Sequence, residues 1–299
     1  MPERPVVMVA SLARGETIIS TQGVKVFVRS WTPERPPRAL LVVCHGFNAH
    51  GGHFAWAAEQ FLSVGLTVVA FDFRGRGRSE GERFYVEDID EYVGDLTSTI
   101  ALVKSRYPRL PIFLLGHSAG GVVAATYLVE RQAGIAGFIC ESVAFQLPAP
   151  AFALAVIKGL SRLVPRLPVL TIRNEAFSRD PRAVEALNTD VLTAREWQVA
   201  ATVAALIRAN ERLRGQFSRL TLPLLIMHGT ADRVTNPRGS RFLYDAAGAT
   251  DKTLRLYEGH YHDLLNDVGK EQVVADMQQW IVDRLPPGEG TRSNSSGAP

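Results

Sequence analysis

A serine stands between two glycines at the spacing G-x-S-x-G in residues 116–120, which read GHSAG. A strand-like apolar run, residues 112–115, comes before it, and a helical pattern begins at Gly121. This order predicts a sharp strand-to-helix turn, in which side chains larger than glycine would collide. The hydroxyl of Ser118 would project over the strand end, beside the backbone N–H of Ala119 at the helix N-terminus. We predict Ser118 as a nucleophile for acyl transfer and Ala119 as an oxyanion donor; an ordinary turn is the alternative.

A nucleophilic serine needs a histidine base and a carboxylate that orients it, and above a parallel sheet they follow in the order Ser, Asp or Glu, His. Asp232 comes shortly after the strand-like run 224–227. A carboxylate just past a strand end lies on the same edge of the sheet as Ser118. Asp245 and Asp251 belong to a helix and a turn farther from this edge. Asp232 is therefore predicted as the orienting acid, with a simple turn former as the alternative.

Two histidines, His260 and His262, follow the last strand-like run, residues 253–257. The loop after the final strand is where this architecture delivers its base, and the spacing alone does not choose between the two. A third histidine, His228, ends the strand before Asp232 and is predicted to be packed there.

The loop after the strand-like run 39–44 reads HGFN in residues 45–48. This loop is expected to supply the second N–H of an oxyanion hole, and we predict Phe47 as its donor. Because the donor is a backbone group, the phenylalanine ring would be left to line the acyl pocket.

Short apolar runs alternate with longer helical patterns along most of the chain. Such runs fit strands buried on both faces of a parallel sheet. They are residues 39–44, 67–73, 112–116, 137–141, 224–228 and 253–257. With an opening hairpin signal in residues 17–31, the alternation predicts an α/β fold, a mostly parallel doubly wound sheet with helices on both faces.

One stretch, residues 144–220, contains no predicted strand and is too long for a crossover connection. We interpret it as a helical cap inserted into the sheet domain. The predicted division is a core of residues 1–143 and 221–285, the cap of residues 144–220, and a disordered tail of residues 286–299 that is rich in Pro, Gly and Ser.

The composition excludes several classes of function. With 33 Lys and Arg against 30 Asp and Glu, scattered along 299 residues, the chain gives no reason to expect a nucleic-acid partner. The only cysteines, Cys44 and Cys140, lie in apolar runs, and with the histidines they show no metal-ligand spacing. No metal, cofactor or disulfide is therefore predicted.

The N-terminus lacks the apolar core of a signal peptide, and no run is long enough for a membrane span, which favours a cytoplasmic protein.

Five motifs in order resemble the monoacylglycerol lipase and lysophospholipase branch of the α/β-hydrolases, over about residues 24–285. The motifs are CHGF, FDFRGRGRSEG, GHSAGG, MHGTADRVTNPRGS and YEGHYHDLLND. The family implies a catalytic triad that maps onto Ser118, Asp232 and His262, and so favours His262 over His260. It also implies the two oxyanion donors named above and a cap between the sixth and seventh strands of the core.

The sequence departs from this family after the H-G-x motif. Monoacylglycerol lipases usually carry G-E-H-S-x-R-Y there, with the Glu and Arg near the glycerol end of the substrate. Here residues 48–54 read NAHGGHF, so Ala49 replaces the glutamate and His53 replaces the arginine. We expect His53 to lie in the substrate site, and the headgroup stays open.

The cap contains an apolar stretch, AFALAVIKGLSRL, in residues 151–163. It predicts either a helix buried by packing or a lid whose apolar face touches acyl chains or a lipid surface, with Leu154 and Ile157 in the pocket wall.

We predict a serine hydrolase of lipid-like carboxylic esters, of the monoacylglycerol or lysophospholipid type. The alternatives are a small-ester carboxylesterase or thioesterase and a hydrolase-fold protein that binds without turnover. The expected partners are a small-molecule ester or lipid and, transiently, a lipid surface; the oligomeric state is not predicted.

Overall fold

The computed structural model describes residues 13–194 and 196–285, in which the chain forms ten strands and eight α-helices. The strands are β1 (Arg14–Ile19), β2 (Lys25–Trp31), β3 (Ala39–Cys44), β4 (Leu66–Phe71), β5 (Ile112–His117), β6 (Ile135–Glu141), β7 (Pro168–Leu170), β8 (Gln198–Val199), β9 (Leu224–Gly229) and β10 (Lys252–Tyr257). The helices are α1 (Ala55–Leu62), α2 (Ile89–Arg106), α3 (Ala119–Leu128), α4 (Ala151–Leu163), α5 (Pro181–Thr189), α6 (Ala200–Arg214), α7 (Pro237–Ala246) and α8 (Lys270–Val282). In these ranges no helix is both long enough and apolar enough to cross a bilayer. The predictions for the N-terminus and for the tail, residues 286–299, lie outside the described residues.

Eight strands form one sheet in the order β1-β2-β4-β3-β5-β6-β9-β10. β2 pairs antiparallel with β1 and with β4, and all other neighbouring pairs are parallel. Every residue of β3, β4, β5 and β9 is buried, which explains why their sequences are continuous apolar runs. The predicted α/β fold with a mostly parallel, doubly wound sheet is confirmed.

Each face of the sheet has its own hydrophobic core. Because side chains alternate along a strand, Ile112 and Leu114 of β5 join one core, whereas Phe113 and Leu115 join the other. Helices α2 and α3 cover the first face, and α1 and α8 cover the second. The central strands are thus covered on both faces, which leaves their ends to build a site.

Both cysteines are free thiols inside the first of these cores. Cys44 ends β3 and Cys140 lies in β6, and both are fully buried. Burial disfavours the thiolate and raises the pKa of both side chains far above its ordinary value. The structure therefore gives them a packing role.

The segment between β6 and β9 holds α4, α5, α6 and one short antiparallel strand pair, β7 with β8. The prediction that residues 144–220 contain no strand is therefore wrong. With three and two residues, these strands are too short to produce a recognisable hydrophobic pattern. No residue of α4 is buried, whereas Leu206 and Leu213 of α6 belong to the core under the sheet. The division into a core domain and a separate cap stays a prediction.

Candidate active site

Ser118 lies on the turn from β5 to α3, with φ +53° and ψ −121°. A positive φ is unfavourable for a residue with a side chain and persists only where the surrounding chain enforces it. A Cβ atom added at Gly116 would lie 2.6 Å from the Cα of Gly121, and one added at Gly120 would lie 2.2 Å from the carbonyl oxygen of Cys44. Backbone thus approaches backbone on both sides of the serine, which is the physical reason for the G-x-S-x-G spacing.

Asp232 and His262 come together at the same edge of the sheet, in the loops after β9 and β10. His262 Nδ1 lies 2.8 Å from Asp232 Oδ2, and both side chains are fully buried. The other oxygen of Asp232 accepts the backbone N–H groups of Val234 and Thr235, at 2.7 and 2.9 Å. Burial raises the pKa of Asp232, but its contacts with His262 and His228 outweigh burial and hold that pKa well below the usual range. The aspartate can therefore fix the imidazole tautomer and stabilise its charged form.

His260, the competing base, has a different environment. Its Nδ1 lies 3.3 Å from the carbonyl oxygen of Glu258, and its ring packs against Tyr257 with the centroids 5.5 Å apart. The hydrogen bond to Asp232 is made by His262. The geometry thus favours His262 as the base.

His117, the residue before Ser118, contacts this pair, with its ring centroid 4.9 Å from that of His262. The segment between β6 and β9 also contacts the pair, with the ring centroid of Phe177 5.3 Å from that of His262. His262 Nε2 is buried and has no hydrogen-bond partner among the described residues. In this conformation it therefore makes no hydrogen bond to the hydroxyl of Ser118. Ser118 itself is only 6% exposed, so the site is largely closed to water.

Phe47 and Ala119, the two predicted oxyanion donors, both flank Ser118. Ala119 is the first residue of α3, and a Cβ atom added at Gly46 would lie 2.8 Å from the Cβ of Ser118, which places the Phe47 loop against the nucleophile. Neither N–H has a hydrogen-bond partner in the described part of the chain. The Phe47 ring is not left free as predicted, because the Arg76 guanidinium covers one face at 4.4 Å from the centroid.

A buried ion pair that the sequence did not reveal lies behind the serine turn. His117 Nδ1 hydrogen-bonds to the carboxylate of Glu141, at the end of β6. Burial lowers the pKa of His117, but the charge of Glu141 outweighs burial and raises that pKa to about 9. The second oxygen of Glu141 accepts the N–H of Leu264 at 2.8 Å, in the loop that carries His262. Glu141 therefore ties the serine turn to the histidine loop.

Known proteins resemble this chain over most of its length. Residues 35–269 match the Hydrolase_4 family, described as serine aminopeptidase, S33. The monoacylglycerol lipase of Mycolicibacterium smegmatis is 33% identical over 281 residues, which cover 93% of this chain and 100% of that protein. Human monoglyceride lipase is also 33% identical, over 89% of this chain and 90% of its own length. The chain belongs to the monoacylglycerol lipase family of α/β-hydrolases.

A solved structure extends this relationship to three dimensions. The crystal structure of the Paleococcus ferrophilus monoacylglycerol lipase has a TM-score of 0.79 at 28% identity and covers 87% of this chain and 99% of its own. The predicted fold, the predicted family branch and the prediction of a carboxylic ester hydrolase are confirmed. The roles of individual site residues rest on the geometry above and stay predictions.

His53, which stands where monoacylglycerol lipases usually carry an arginine, is hydrogen-bonded to Asp190, directly after α5. Its Nε2 lies 2.7 Å from Asp190 Oδ2, and His50 Nε2 lies 2.8 Å from the same oxygen. His53 and Asp190 also line a cavity of about 440 Å³ together with Ser178 and Leu187. His53 therefore lies at a cavity wall with one ring nitrogen hydrogen-bonded, and its place in the substrate site stays a prediction.

The three side chains of this cluster, His50, His53 and Asp190, are close enough together to suggest a metal site, which the sequence spacing did not indicate. His50 Nδ1 accepts the N–H of Gly52 at 2.9 Å, so the proton of a neutral His50 is on Nε2, facing the aspartate. A metal would need that nitrogen unprotonated. The cluster therefore fits a hydrogen-bonded link between the loop after β3 and the residues after α5 better than it fits a metal site.

Proposed function

We propose that this chain hydrolyses carboxylic esters of lipid-like substrates, of the monoacylglycerol or lysophospholipid type, through an acyl-enzyme on Ser118. The observation that carries the proposal is the 2.8 Å hydrogen bond between the buried side chains of Asp232 and His262, at the sheet edge where the strained serine turn lies. A buried carboxylate–imidazole pair beside a serine is the arrangement that activates a hydroxyl for acyl transfer.

The reaction proceeds in two steps. His262 Nε2 takes the proton of Ser118 as its oxygen attacks the ester carbonyl, while Asp232 holds the Nδ1 proton and stabilises the imidazolium. The N–H groups of Phe47 and Ala119 bind the developing oxyanion, an interaction worth about 3 kcal/mol for each donor. The leaving alcohol takes the proton back from His262, and water then releases the acid by the reverse sequence.

The glyceride esters named for the two relatives support a substrate with a small polar headgroup and one acyl chain. Ala49 and His53 replace the charged pair that the family places near glycerol. Because Ala49 is buried and His53 is bound to the cap, this site lacks the family's anionic headgroup contact, and we propose tolerance for headgroups other than glycerol.

We also propose that the cap meets a lipid surface transiently. Phe152 of α4 is 72% exposed, and Leu163 at its end is 81% exposed. Four further apolar side chains in and after α4 are exposed, namely Val156, Val164, Leu167 and Leu170. Several exposed apolar side chains within one short segment are typical of a surface that contacts a partner or lipid. A cytoplasmic location stays a prediction.

A substrate panel with a matched inactive variant tests the proposal. A fluorophosphonate should label the wild type and not Ser118→Ala, and only the wild type should hydrolyse monooleoylglycerol and lysophosphatidylcholine, with kcat lower by several orders of magnitude in the variant. A strong preference for nitrophenyl acetate over both lipids would identify a small-ester carboxylesterase instead. Absence of labelling in the folded wild type would indicate a binding protein.

A further inference from the structure

One buried ion pair joins the sheet domain to the cap beside the oxyanion loop. Arg76 lies in the loop after β4, and Glu196 lies in the segment that leads into β8. The guanidinium Nη1 of Arg76 bonds to Glu196 Oε1, and both side chains are 1% exposed. The two residues are 120 positions apart in the chain, so the pair exists only when the cap segment is docked.

Glu196 uses the same oxygen to bind the oxyanion loop. Its Oε1 accepts the backbone N–H of Asn48 at 2.8 Å and the side-chain N–H of Gln198 at 2.7 Å. Asn48 directly follows Phe47, whose N–H is the proposed oxyanion donor. The carboxylate therefore fixes the peptide group next to that donor.

The backbone at Asn48 is strained, so its contacts have to hold it in place. Asn48 has φ +53°, a left-handed conformation that asparagine tolerates better than most residues but does not prefer. Its side chain is also held by the cap, because Nδ2 donates to the carbonyl oxygen of Ile172 at 3.1 Å. Two weaker contacts, with Asn174 and Gln198 at 3.4 Å each, join the same segment, so without the cap the strained loop would lose all four of these hydrogen bonds.

Arg76 contacts the side chain of Phe47, the residue on the other side of this peptide bond. Its guanidinium covers the Phe47 ring at 4.4 Å, while its Nη2 donates to Gln198 at 2.9 Å. Burial lowers the pKa of Arg76, but Glu196 and Tyr92 outweigh burial and raise it, so the arginine stays charged. A charged pair this deeply buried stabilises the fold less than apolar packing of the same volume would. We therefore look for a role of the Arg76–Glu196 pair other than stability.

We propose that Glu196 is a positioning residue for the oxyanion hole, through which docking of the cap segment aims the N–H of Phe47 at the reacting carbonyl. This inference rests on the proposed function of Ser118. Its consequence is that the cap controls the chemical step as well as the entry of substrate. A cap displaced from Arg76 leaves the nucleophile and base in place and takes away one oxyanion donor.

Glu196→Ala tests the proposal against Glu211→Ala, a matched loss of a cap carboxylate whose partner, Lys158, is at the surface. Glu196→Ala should lower kcat about 10- to 100-fold, less than the roughly 10²- to 10³-fold loss when an oxyanion donor is removed outright. KM should change less than about twofold, because the donor acts mainly in the transition state. The affinity for a trifluoromethyl ketone, which forms a tetrahedral oxyanion on the serine, should fall in parallel with kcat. Glu211→Ala should leave all three quantities unchanged.

Two further variants distinguish a role of Glu196 in positioning the oxyanion hole from a role in folding. Glu196→Gln keeps an oxygen that can accept from Asn48 and should retain more of kcat than Glu196→Ala. Arg76→Met/Glu196→Met removes both charges, so it avoids an unpaired buried arginine, and it should show the same loss of kcat and of ketone affinity while folded.

The outcomes are distinguishable. If the wild type does not react with a fluorophosphonate, the proposed function itself fails. If the wild type reacts but the folded Glu196→Ala or double variant retains kcat and ketone affinity, Glu196 does not position the oxyanion hole. A rise in KM with unchanged kcat would also overturn the proposal, because Glu196 would then be a substrate contact.

Discussion

His228 Nε2 lies 2.9 Å from Asp232 Oδ2 and so shares that oxygen with His262. The other ring nitrogen of His228 lies 2.7 Å from Ser240 Oγ, which fits a serine that donates to Nδ1 and leaves the proton on Nε2. His228 therefore donates to the aspartate that orients the base. The sequence predicted packing for His228, and the structure shows packing with this additional hydrogen bond.

Replacing His228 should change the pH dependence of the reaction. In His228→Leu, Asp232 loses the hydrogen bond from His228. More of its negative charge then acts on His262, so the imidazolium of His262 is stabilised more strongly. We expect the acidic limb of the kcat/KM profile to move to higher pH, because Asp232 loses one of the hydrogen bonds that share its charge. His228→Gln, which retains an N–H donor, should stay nearer to the wild type. An unshifted profile in a folded His228→Leu would show that His228 only fills space.

The two histidines of the last loop should differ sharply. His262→Ala removes the group bound to Asp232, and kcat should fall about 10⁴-fold or more. His260→Ala removes a side chain whose Nδ1 contacts only the carbonyl oxygen of Glu258 among the described residues, and kcat should fall less than about tenfold. Steady-state kinetics with melting curves for both variants make the comparison. The reverse order of losses would assign the base to His260.

The His117–Glu141 pair predicts a loss of stability at alkaline pH. The pKa of His117 is raised in the fold to about 9, above its ordinary value near 6.5, so the stabilisation is complete below about pH 6.5. It is lost as the pH rises through about 9, and the shift corresponds to about 3 kcal/mol. Urea unfolding of the wild type between pH 6 and 10 should show this decline, and Glu141→Gln should flatten it. Equal slopes for the two proteins would exclude the ion pair as the cause.

Substitutions at Leu154 and Ile157 test whether the cap selects the length of the acyl chain. Both are half-buried on α4, which packs against α6. If they form the acyl wall, Leu154→Ser or Ile157→Ser should lower the ratio of octanoyl to acetyl kcat/KM about fivefold or more, since each buried methylene is worth up to about 0.8 kcal/mol. Ala155→Ser, at an exposed position of the same helix, is the matched control and should leave the ratio unchanged. A core-helix role would instead lower stability and reduce both efficiencies alike.

The sequence predicted those features that depend on local pattern. The strands around Ser118 and Asp232 are buried on both faces, so each is an apolar run with a polar residue just beyond its end. The glycines at 116 and 120 are fixed by close backbone contacts within the turn itself. Such signals occupy a few adjacent residues and need no knowledge of the rest of the chain.

The features that the sequence missed join residues far apart. Arg76 meets Glu196, and His53 meets Asp190, only because the segment between β6 and β9 folds back over the sheet edge. A single charged residue in a loop carries no sign of its partner, since most such residues are solvated. His228 is the intermediate case, because its spacing of four from Asp232 was visible and its hydrogen bond was not.

The burial of Cys44 and Cys140 has a consequence for chemical labelling. The native protein has no thiol within reach of an electrophile, and the raised pKa of both thiols removes the thiolate that such reagents need. A carbamate or β-lactone warhead that ordinarily attacks both sulfur and oxygen is thereby restricted to oxygen nucleophiles. Both thiols lie in the same core and become available together when it opens, so each molecule carries either no reactive thiol or two, and thiol labelling reports the fraction of unfolded molecules.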